Sequence, residues 1–105
     1  KLGINGNRKT GALYDILPAD ANKLYKPAGE WNTARIVVKG NHVAHWLNGL
    51  KIVDYQRDSE AFKVAILKSK FNTTPGFAAA VSSPLLLQAH GDKVTFRKIK
   101  IKELY

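Results

Sequence analysis

Residues 31–56 decide the fold and read WNTARIVVKGNHVAHWLNGLKIVDYQ. Three runs rich in β-branched and apolar residues are separated there by two turn signals, Gly40-Asn41 and Asn48-Gly49. Asn-Gly favours a type I′ turn, and glycine in the first central position favours a type II′ turn, so each pair suits a two-residue β-hairpin. The sequence therefore predicts three antiparallel strands over residues 31–39, 42–47 and 50–56.

The two turns also fix the register, and with it the side chains that share a face. They place Trp46 opposite both Arg35 and Lys51, and His45 opposite Ile52. Because side chains alternate between the faces of a strand, one face is predicted to be a core face and the other a mixed face. The core face carries Ala34, Ile36, Val38, Val43, His45, Leu47, Leu50 and Ile52, and the mixed face carries Thr33, Arg35, Val37, Ala44, Trp46, Lys51 and Val53.

The mixed face has two interpretations, because Arg35 and Lys51 flank Trp46 across the three strands. The first is a cation–π stack that covers the indole on an exposed sheet, worth about 0.5–1 kcal/mol. The second is a ligand platform, in which an aromatic plane is ringed by hydrogen-bond donors. Such a platform suits a sugar, whose C–H face is apolar and whose rim carries hydroxyls. The residues alone leave both interpretations open.

The histidines offer no obvious catalyst in these strands. His45 is predicted to be a core histidine with a satisfied hydrogen bond, and Asp54 is predicted to lie diagonally from it on the core face. His42, beside the turn, is predicted to be simply exposed. In this register no carboxylate of the three strands lies on the mixed face. Because the three histidines, at positions 42, 45 and 90, do not share a face, we expect no metal site and no cofactor.

The rest of the chain alternates between short apolar runs and turn residues, which is typical of all-β proteins. The pattern predicts a strand over residues 11–17, a surface loop over 18–30, and a final hairpin of strands 85–90 and 93–102. One segment differs, because apolar residues recur there at helical spacing after a capping residue, Asp58 or Ser59. We therefore predict a single surface helix at about 59–70.

The final hairpin is predicted to turn at Gly91-Asp92. One side of it is polar, which indicates either a solvated surface or a continuation of the mixed face. The parity of the apolar residues changes along its second strand, which predicts a bulge near Arg97-Lys98. The polar side carries Gln88, His90, Thr95 and Arg97.

Composition is that of an ordinary globular chain, with 45% apolar and 24% charged residues among 105. The 17 Lys and Arg residues exceed the 8 Asp and Glu residues and give a net charge of +9. These basic residues are spread along the chain except between residues 93 and 102, so we expect no nucleic-acid partner. No apolar run approaches the ~18–20 residues of a membrane span, so we expect no membrane partner. With no cysteine, disulfides and thiolate chemistry are excluded.

Several catalytic templates are also missing from the sequence. It contains no Gly-x-Ser-x-Gly, no His-Glu-x-x-His and no phosphate-binding glycine loop. Glycoside hydrolysis by direct displacement usually needs two carboxylates across the scissile bond, and the mixed face supplies none in the predicted register. The residues alone therefore predict a β-sheet domain with an incomplete catalytic set, and they leave the sugar-platform interpretation of the mixed face open.

A series of short strings then points to a known family. Together they resemble the 3-keto-disaccharide hydrolase family, whose members have a concanavalin-A-like lectin/glucanase sandwich. The resemblance implies an all-β, jelly-roll β-sandwich with one short surface helix near 59–70. A full family domain is nearly twice as long, so residues 1–105 would form the carboxy-terminal part of a single domain. The strings are TGALYD (10–15), GEWNT (29–33), KGNH (39–42), HWLNG (45–49), VDY (53–55), LQAHGD (87–92) and FRKI (96–99).

This resemblance implies a sugar hydrolase of bacterial carbohydrate breakdown that acts on 3-keto-glycosides or 3-keto-disaccharides. The ketone acidifies the neighbouring C–H bond, so the glycosidic bond can break by elimination followed by hydration. His90 is the best candidate for the base. The candidate substrate-binding residues are Trp46, Arg35, Lys51, Gln88 and Arg97, and donors among them would hold the enolate oxygen. The alternative is a non-catalytic, lectin-like carbohydrate-binding module that uses the same face.

One string departs from the family's pattern. The family's usual Leu-Gln-Asp-His-Gly reads Leu87-Gln-Ala-His-Gly91 here, so a carboxylate is replaced by Ala89. The resemblance further implies a periplasmic or secreted protein. Half of a sandwich would leave sheet edges and a core face open. We therefore expect the missing half-domain, a second chain or self-association to cover them.

Overall fold

The computed structural model of the chain describes residues 3–79, 84–88 and 91–103. At its centre lies an antiparallel sheet in the order β1-β2-β3. The strands are β1, Ala34–Lys39; β2, His42–Leu47; and β3, Leu50–Gln56. One α-helix, α1, follows at Glu60–Leu67, and a short 3₁₀ turn, Ile4–Gly6, precedes the sheet. The three predicted strands are thus confirmed, although β1 begins three residues later than predicted.

Both hairpin turns have the predicted geometry. Asn48 and Gly49 have φ values of 49° and 85°, and two successive positive φ angles are the mark of a type I′ turn. At the other turn Gly40 has φ 60° and Asn41 is not in the positive region, as a type II′ turn requires. The side chain of Asn48 also accepts a hydrogen bond from the backbone N–H of Thr33 at 2.8 Å, which ties the turn to the start of β1.

The register is regular between β1 and β2 but shifts between β2 and β3. Arg35 lies opposite Trp46, and Trp46 lies opposite Lys51, as predicted. His45 then lies opposite Val53, because Ile52 is an extra residue in a β-bulge. The predicted pairing of His45 with Ile52 is therefore wrong, and every residue after the bulge changes face.

Burial explains why the bulge is favourable. Ile52 and Val53 are both only 5% exposed, so two successive β-branched side chains enter the core. A regular strand would have turned one of them outward and placed the Asp54 carboxylate inside. The bulge removes that conflict and directs Tyr55 toward the core side.

The helix packs on that side of the sheet. Ser59 caps it, since its hydroxyl accepts a hydrogen bond from the N–H of Phe62. Phe62 is buried and stacks on Tyr55 with ring centroids 5.2 Å apart. Burial raises the pKa of the Tyr55 hydroxyl. The predicted helix is confirmed, and it ends at Leu67 rather than near residue 70.

The segment before the sheet does not form the strand that was predicted over residues 11–17. It forms turns with one isolated bridge, between Leu13 and Leu17. The reason is the positive φ of Gly11 and Asp15, 84° and 64°, which an extended strand cannot accommodate. The segment instead packs against the sheet: the N–H of Asp20 donates to the Ile52 carbonyl at 2.7 Å.

The predicted final hairpin is not seen as strands in segments 84–88 and 91–103. Lys98 has φ 54°, so the chain turns sharply where we predicted a bulge. Large apolar side chains of these segments are exposed, as are Ile36 and Val38 on the core side of β1. The described residues agree with an all-β class but do not contain a jelly roll.

Candidate functional site

Nine side chains of the sheet form a grid on the face opposite the packed helix. Each row takes one residue from each strand, and alternate residues along a strand share this face. We call this set the Trp46 face. Its rows are Arg35-Trp46-Lys51, Val37-Ala44-Asp54 and Lys39-His42-Gln56.

The first row contains the predicted aromatic platform. The Arg35 guanidinium carbon lies 4.6 Å from the centroid of the Trp46 ring, a cation–π stack. Trp46 is half-buried, whereas Arg35 and Lys51 are exposed. Three of the predicted binding residues therefore lie side by side, with cationic donors on both flanks of the indole.

A carboxylate and a histidine complete the face, and sequence reasoning missed both. Asp54 accepts hydrogen bonds from His42 Nε2 at 2.6 Å and from Lys51 Nζ at 2.9 Å. The bonds from Lys51 and His42 hold the pKa of the Asp54 carboxyl below its usual value. Asp54 was expected on the core face, and the Trp46 face was expected to have no carboxylate. Both expectations are wrong, because of the bulge at Ile52.

Ala44 lies at the centre of the grid, between Trp46 and His42. Its side chain is a single methyl group and is buried. Four residues along a strand place the Cα atoms of Trp46 and His42 about 13 Å apart. The small central residue therefore leaves no bulky side chain between the aromatic plane and the imidazole, a span closer to the length of a disaccharide than to one sugar ring.

The remaining predicted site residues lie elsewhere or outside the described chain. Gln88 is exposed in segment 84–88. Arg97 stacks over a different indole, with its guanidinium carbon 3.9 Å from the centroid of the Trp31 ring. His90, the candidate base, lies outside the described residues, as does Ala89.

His45 is a core histidine with a satisfied hydrogen bond, as predicted, but its partner differs. Its Nδ1 lies 3.0 Å from the carbonyl oxygen of Gly11. The ring also packs edge-on against Tyr55 at 5.7 Å. Because both contacts lie on the core side, they orient β2 so that Trp46 and His42 face outward.

A metal site would need a cluster of ligands. Residues 3–79, 84–88 and 91–103 contain no group of three or more His, Cys, Asp and Glu side chains placed to hold a metal ion. In the same part of the chain, no helix has the length and apolar character that crossing a membrane requires.

Comparison with known proteins gives consistent matches. Residues 2–102 match the family described as the 3-keto-alpha-glucoside-1,2-lyase-like domain. A 3-keto-disaccharide hydrolase of Bacteroides thetaiotaomicron is 32% identical over 117 aligned positions, which cover 99% of this chain and 39% of that protein. A crystal structure from Parabacteroides distasonis, of a protein provisionally assigned as a glycosyl hydrolase, superposes with a TM-score of 0.60 at 35% identity. That superposition covers 65% of this chain and 31% of the other, so the chain spans well under half the length of either protein.

Proposed function

Because the chain belongs to the family of 3-keto-alpha-glucoside-1,2-lyase-like domains, we propose that it forms part of an enzyme that cleaves 3-keto-glycosides or 3-keto-disaccharides in bacterial carbohydrate breakdown. The observation that carries this proposal is the Trp46 face. It combines an indole plane, two cationic donors and a hydrogen-bonded histidine–carboxylate pair within three adjacent strands.

The proposed chemistry is elimination followed by hydration. A ketone at carbon 3 acidifies the C–H bond at carbon 2, so a base removes that proton and an enolate forms. The bond from carbon 1 to the glycosidic oxygen then breaks, and the alcohol leaves with a proton. Water adds across the resulting double bond, with hydroxyl at carbon 1 and a proton at carbon 2, and gives the free 3-keto sugar.

The face supports this route better than direct displacement. Displacement usually needs two carboxylates about 5–9.5 Å apart across the bond. Asp54 is the one carboxylate on the Trp46 face, and Lys51 and His42 already engage both of its oxygens. Elimination instead needs a base and donors for a developing oxyanion.

The residue roles follow from this chemistry. Trp46 would hold the apolar face of the sugar, and Arg35 and Lys51 would donate hydrogen bonds to its rim. His90 is proposed as the base that takes the carbon 2 proton. Gln88 and Arg97 are proposed as further donors; in the described residues Arg97 instead covers Trp31.

The completed fold is also proposed to be a jelly-roll sandwich in a periplasmic or secreted protein. The edge strand β1 leaves Ile36 62% exposed and Val38 53% exposed on its core side. Leu85, Leu86 and Leu87 are also exposed. A further segment of the sandwich, a second chain or a second copy would cover this apolar surface.

The second candidate function is a lectin-like binding module. The Arg35–Trp46 stack favours it, since an aromatic platform binds a sugar without any proton transfer. The two functions differ in turnover, because a module would bind the sugar and release it unchanged.

The test uses the complete protein with a 3-keto-glucoside and the matching unoxidised glucoside. Released aglycone measures cleavage, and binding is measured separately by calorimetric titration with 3-keto-1,5-anhydroglucitol, which has no leaving group at carbon 1. We expect cleavage of the 3-keto compound alone. Binding without cleavage would support the module, and neither binding nor cleavage would reject both functions.

A further inference from the structure

His42 and Asp54 form a pair at the end of the Trp46 face nearest the Gly40-Asn41 turn. The distance from Nε2 to Oδ1 is 2.6 Å, and the second carboxylate oxygen is held by Lys51 at 2.9 Å. The side chains of His42 and Asp54 are 47% and 39% exposed. The pair is therefore both geometrically fixed and open to a ligand.

The hydrogen bond determines how the imidazole can act. A carboxylate only accepts, so Nε2 carries the proton that is shared with Asp54. Among the described residues no hydrogen bond engages Nδ1, so this nitrogen is left for a ligand. An imidazole held this way can give a proton from Nδ1 when charged and take one when neutral, while the carboxylate fixes the orientation of the ring.

Other charged groups around the ring are few. Lys39 lies opposite His42 on β1, and Lys51 contacts the far oxygen of Asp54 on β3. The guanidinium of Arg57, just after β3, donates to the carbonyl of Ala78. Asp54 is thus the carboxylate that faces the imidazole from the neighbouring strands.

Resting on the proposed function, we propose that His42 is a catalytic residue that protonates the leaving glycosidic oxygen, with Asp54 as its positioning residue. As the bond from carbon 1 to oxygen breaks, Nδ1 of the imidazolium gives its proton to that oxygen. The neutral ring then takes a proton from the water that adds at carbon 1, which restores the imidazolium. A separate base removes the proton from carbon 2 and later returns a proton to carbon 2. Both groups therefore regain their starting protonation state after one turnover.

The spacing on the sheet fits this role. The Cα atoms of His42 and Trp46 lie about 13 Å apart, four residues along one strand. Asp54, which holds the imidazole, lies opposite Ala44 in the middle row, so a disaccharide with one ring stacked on Trp46 would place its glycosidic bond near the imidazole. Ala44 between them has no side chain long enough to block that approach.

The test compares two substrates of the complete protein, methyl 3-keto-α-glucoside and 4-nitrophenyl 3-keto-α-glucoside. Methoxide is a poor leaving group that needs a proton, whereas nitrophenolate leaves readily as an anion. We expect His42→Ala to lower kcat/KM for the methyl compound by about 10²–10⁴-fold. For the nitrophenyl compound we expect a loss of less than about tenfold.

Two more variants separate catalysis from structure. His42→Gln can still donate a hydrogen bond to Asp54 but cannot transfer a proton, so it should behave like His42→Ala. Asp54→Asn no longer fixes the proton on Nε2, so kcat for the methyl compound should fall, with KM and the cleavage of the nitrophenyl compound little changed. Lys63→Ala, on the exposed side of α1, is the control and should match the wild type.

The outcomes are distinct. If the wild type cleaves neither substrate, the proposed function is overturned, and this assignment with it. If the wild type cleaves both substrates and His42→Ala loses the same factor on each, only the acid role of His42 is overturned. Restoration of methyl glucoside cleavage by His42→Gln would also overturn it, because only the hydrogen bond would then matter.

Discussion

The carboxylate of Asp54 lies 2.6 Å from Nε2 of His42, and the two side chains share one face of the sheet. With strict alternation along β3, the Asp54 side chain would have lain on the opposite face. The cause is one extra residue, Ile52, between the partners of His45 and Trp46. β-bulges commonly occur beside functional sites, where they re-aim a side chain. Here the bulge brings a carboxylate to the Trp46 face and buries two apolar residues in succession.

Because the bulge buries both Ile52 and Val53, we predict that both side chains contribute to stability. Ile52→Ala should lower the free energy of unfolding by about 2–5 kcal/mol, and Val53→Ala by at least about 1 kcal/mol, because each removes buried methyl groups. Val64→Ala, at an exposed position on α1, is the control and should cost much less. Urea unfolding measures all three variants. A Val53→Ala variant as stable as the Val64→Ala variant would indicate a regular strand with Val53 facing solvent.

The contact of Gly11 with the bulge gives a second prediction. A Cβ at Gly11 would overlap Cδ1 of Ile52, and the residue also has φ 84°. Gly29 has a similar φ of 95° but open space around its Cα. Gly11→Ala should therefore destabilise the protein twice over, by ~1–2 kcal/mol for a non-glycine residue in the left-handed region and by a further ~1–3 kcal/mol for overpacking against Ile52. Gly29→Ala should cost only the ~1–2 kcal/mol of the left-handed conformation. Equal melting temperatures for the two variants would contradict this packing.

Asp15 predicts an acid-sensitive contribution to stability. It accepts hydrogen bonds from Arg8 Nε at 2.6 Å and from the Lys70 N–H at 2.7 Å, and these lower its pKa in the folded state. A lowered folded pKa adds stability above the unfolded value of about 3.9, and that stability is lost as the pH falls through the folded pKa. Asp15→Asn, which tolerates the same positive φ, should therefore lower Tm at pH 7 but have a much smaller effect under strongly acidic conditions.

Thermal melts over a pH series test this, with Asp58→Asn at an exposed carboxylate as the control. A difference in Tm between the wild type and Asp15→Asn that stayed constant into strong acid would exclude an ionic origin.

The extent to which the sequence predicts the fold and the candidate site differs along the chain. The turns at Gly40-Asn41 and Asn48-Gly49 fix their own geometry locally, so the β1–β2 register and the Arg35–Trp46 contact follow from sequence. The bulge does not, because Ile52 and Val53 have the same preference for burial. A signal was nevertheless present, since strict alternation from Lys51 would have buried Asp54.

The segments that sequence reasoning missed depend on partners far along the chain. Residues 11–17 alternate like a strand, but the positive φ of Asp15 serves contacts with Arg8 and Lys70. Residues 93–102 also alternate, yet an alternating run becomes a strand only when a neighbouring strand completes its hydrogen bonds. The role of His42 was missed because its partner was assigned to the wrong face.

Because Trp46 is proposed as a binding surface, its replacement should weaken substrate binding and leave the chemical step nearly unchanged. Trp46→Ala should raise KM for a 3-keto-glucoside by about tenfold and leave kcat nearly unchanged, as expected when uniform binding is lost. Trp46→Phe should fall between the wild type and Trp46→Ala, because it keeps a smaller aromatic plane. Lys63→Ala, on the exposed side of α1, should leave both constants near wild type. A loss confined to kcat in Trp46→Ala would show that the indole does not act as a binding surface.

The central claim is that the Trp46 face holds the 3-keto sugar, and a ligand titration followed by NMR tests it most directly. The probe is 3-keto-1,5-anhydroglucitol, which has the ketone but no leaving group at carbon 1, so the complex is not consumed. We predict saturable shifts of the Trp46 indole N–H and of the backbone amides of Arg35, Lys51 and Asp54, with the core-side amide of Leu47 little changed. Saturable binding that leaves the Trp46 indole unshifted, or no binding at all, would contradict the account.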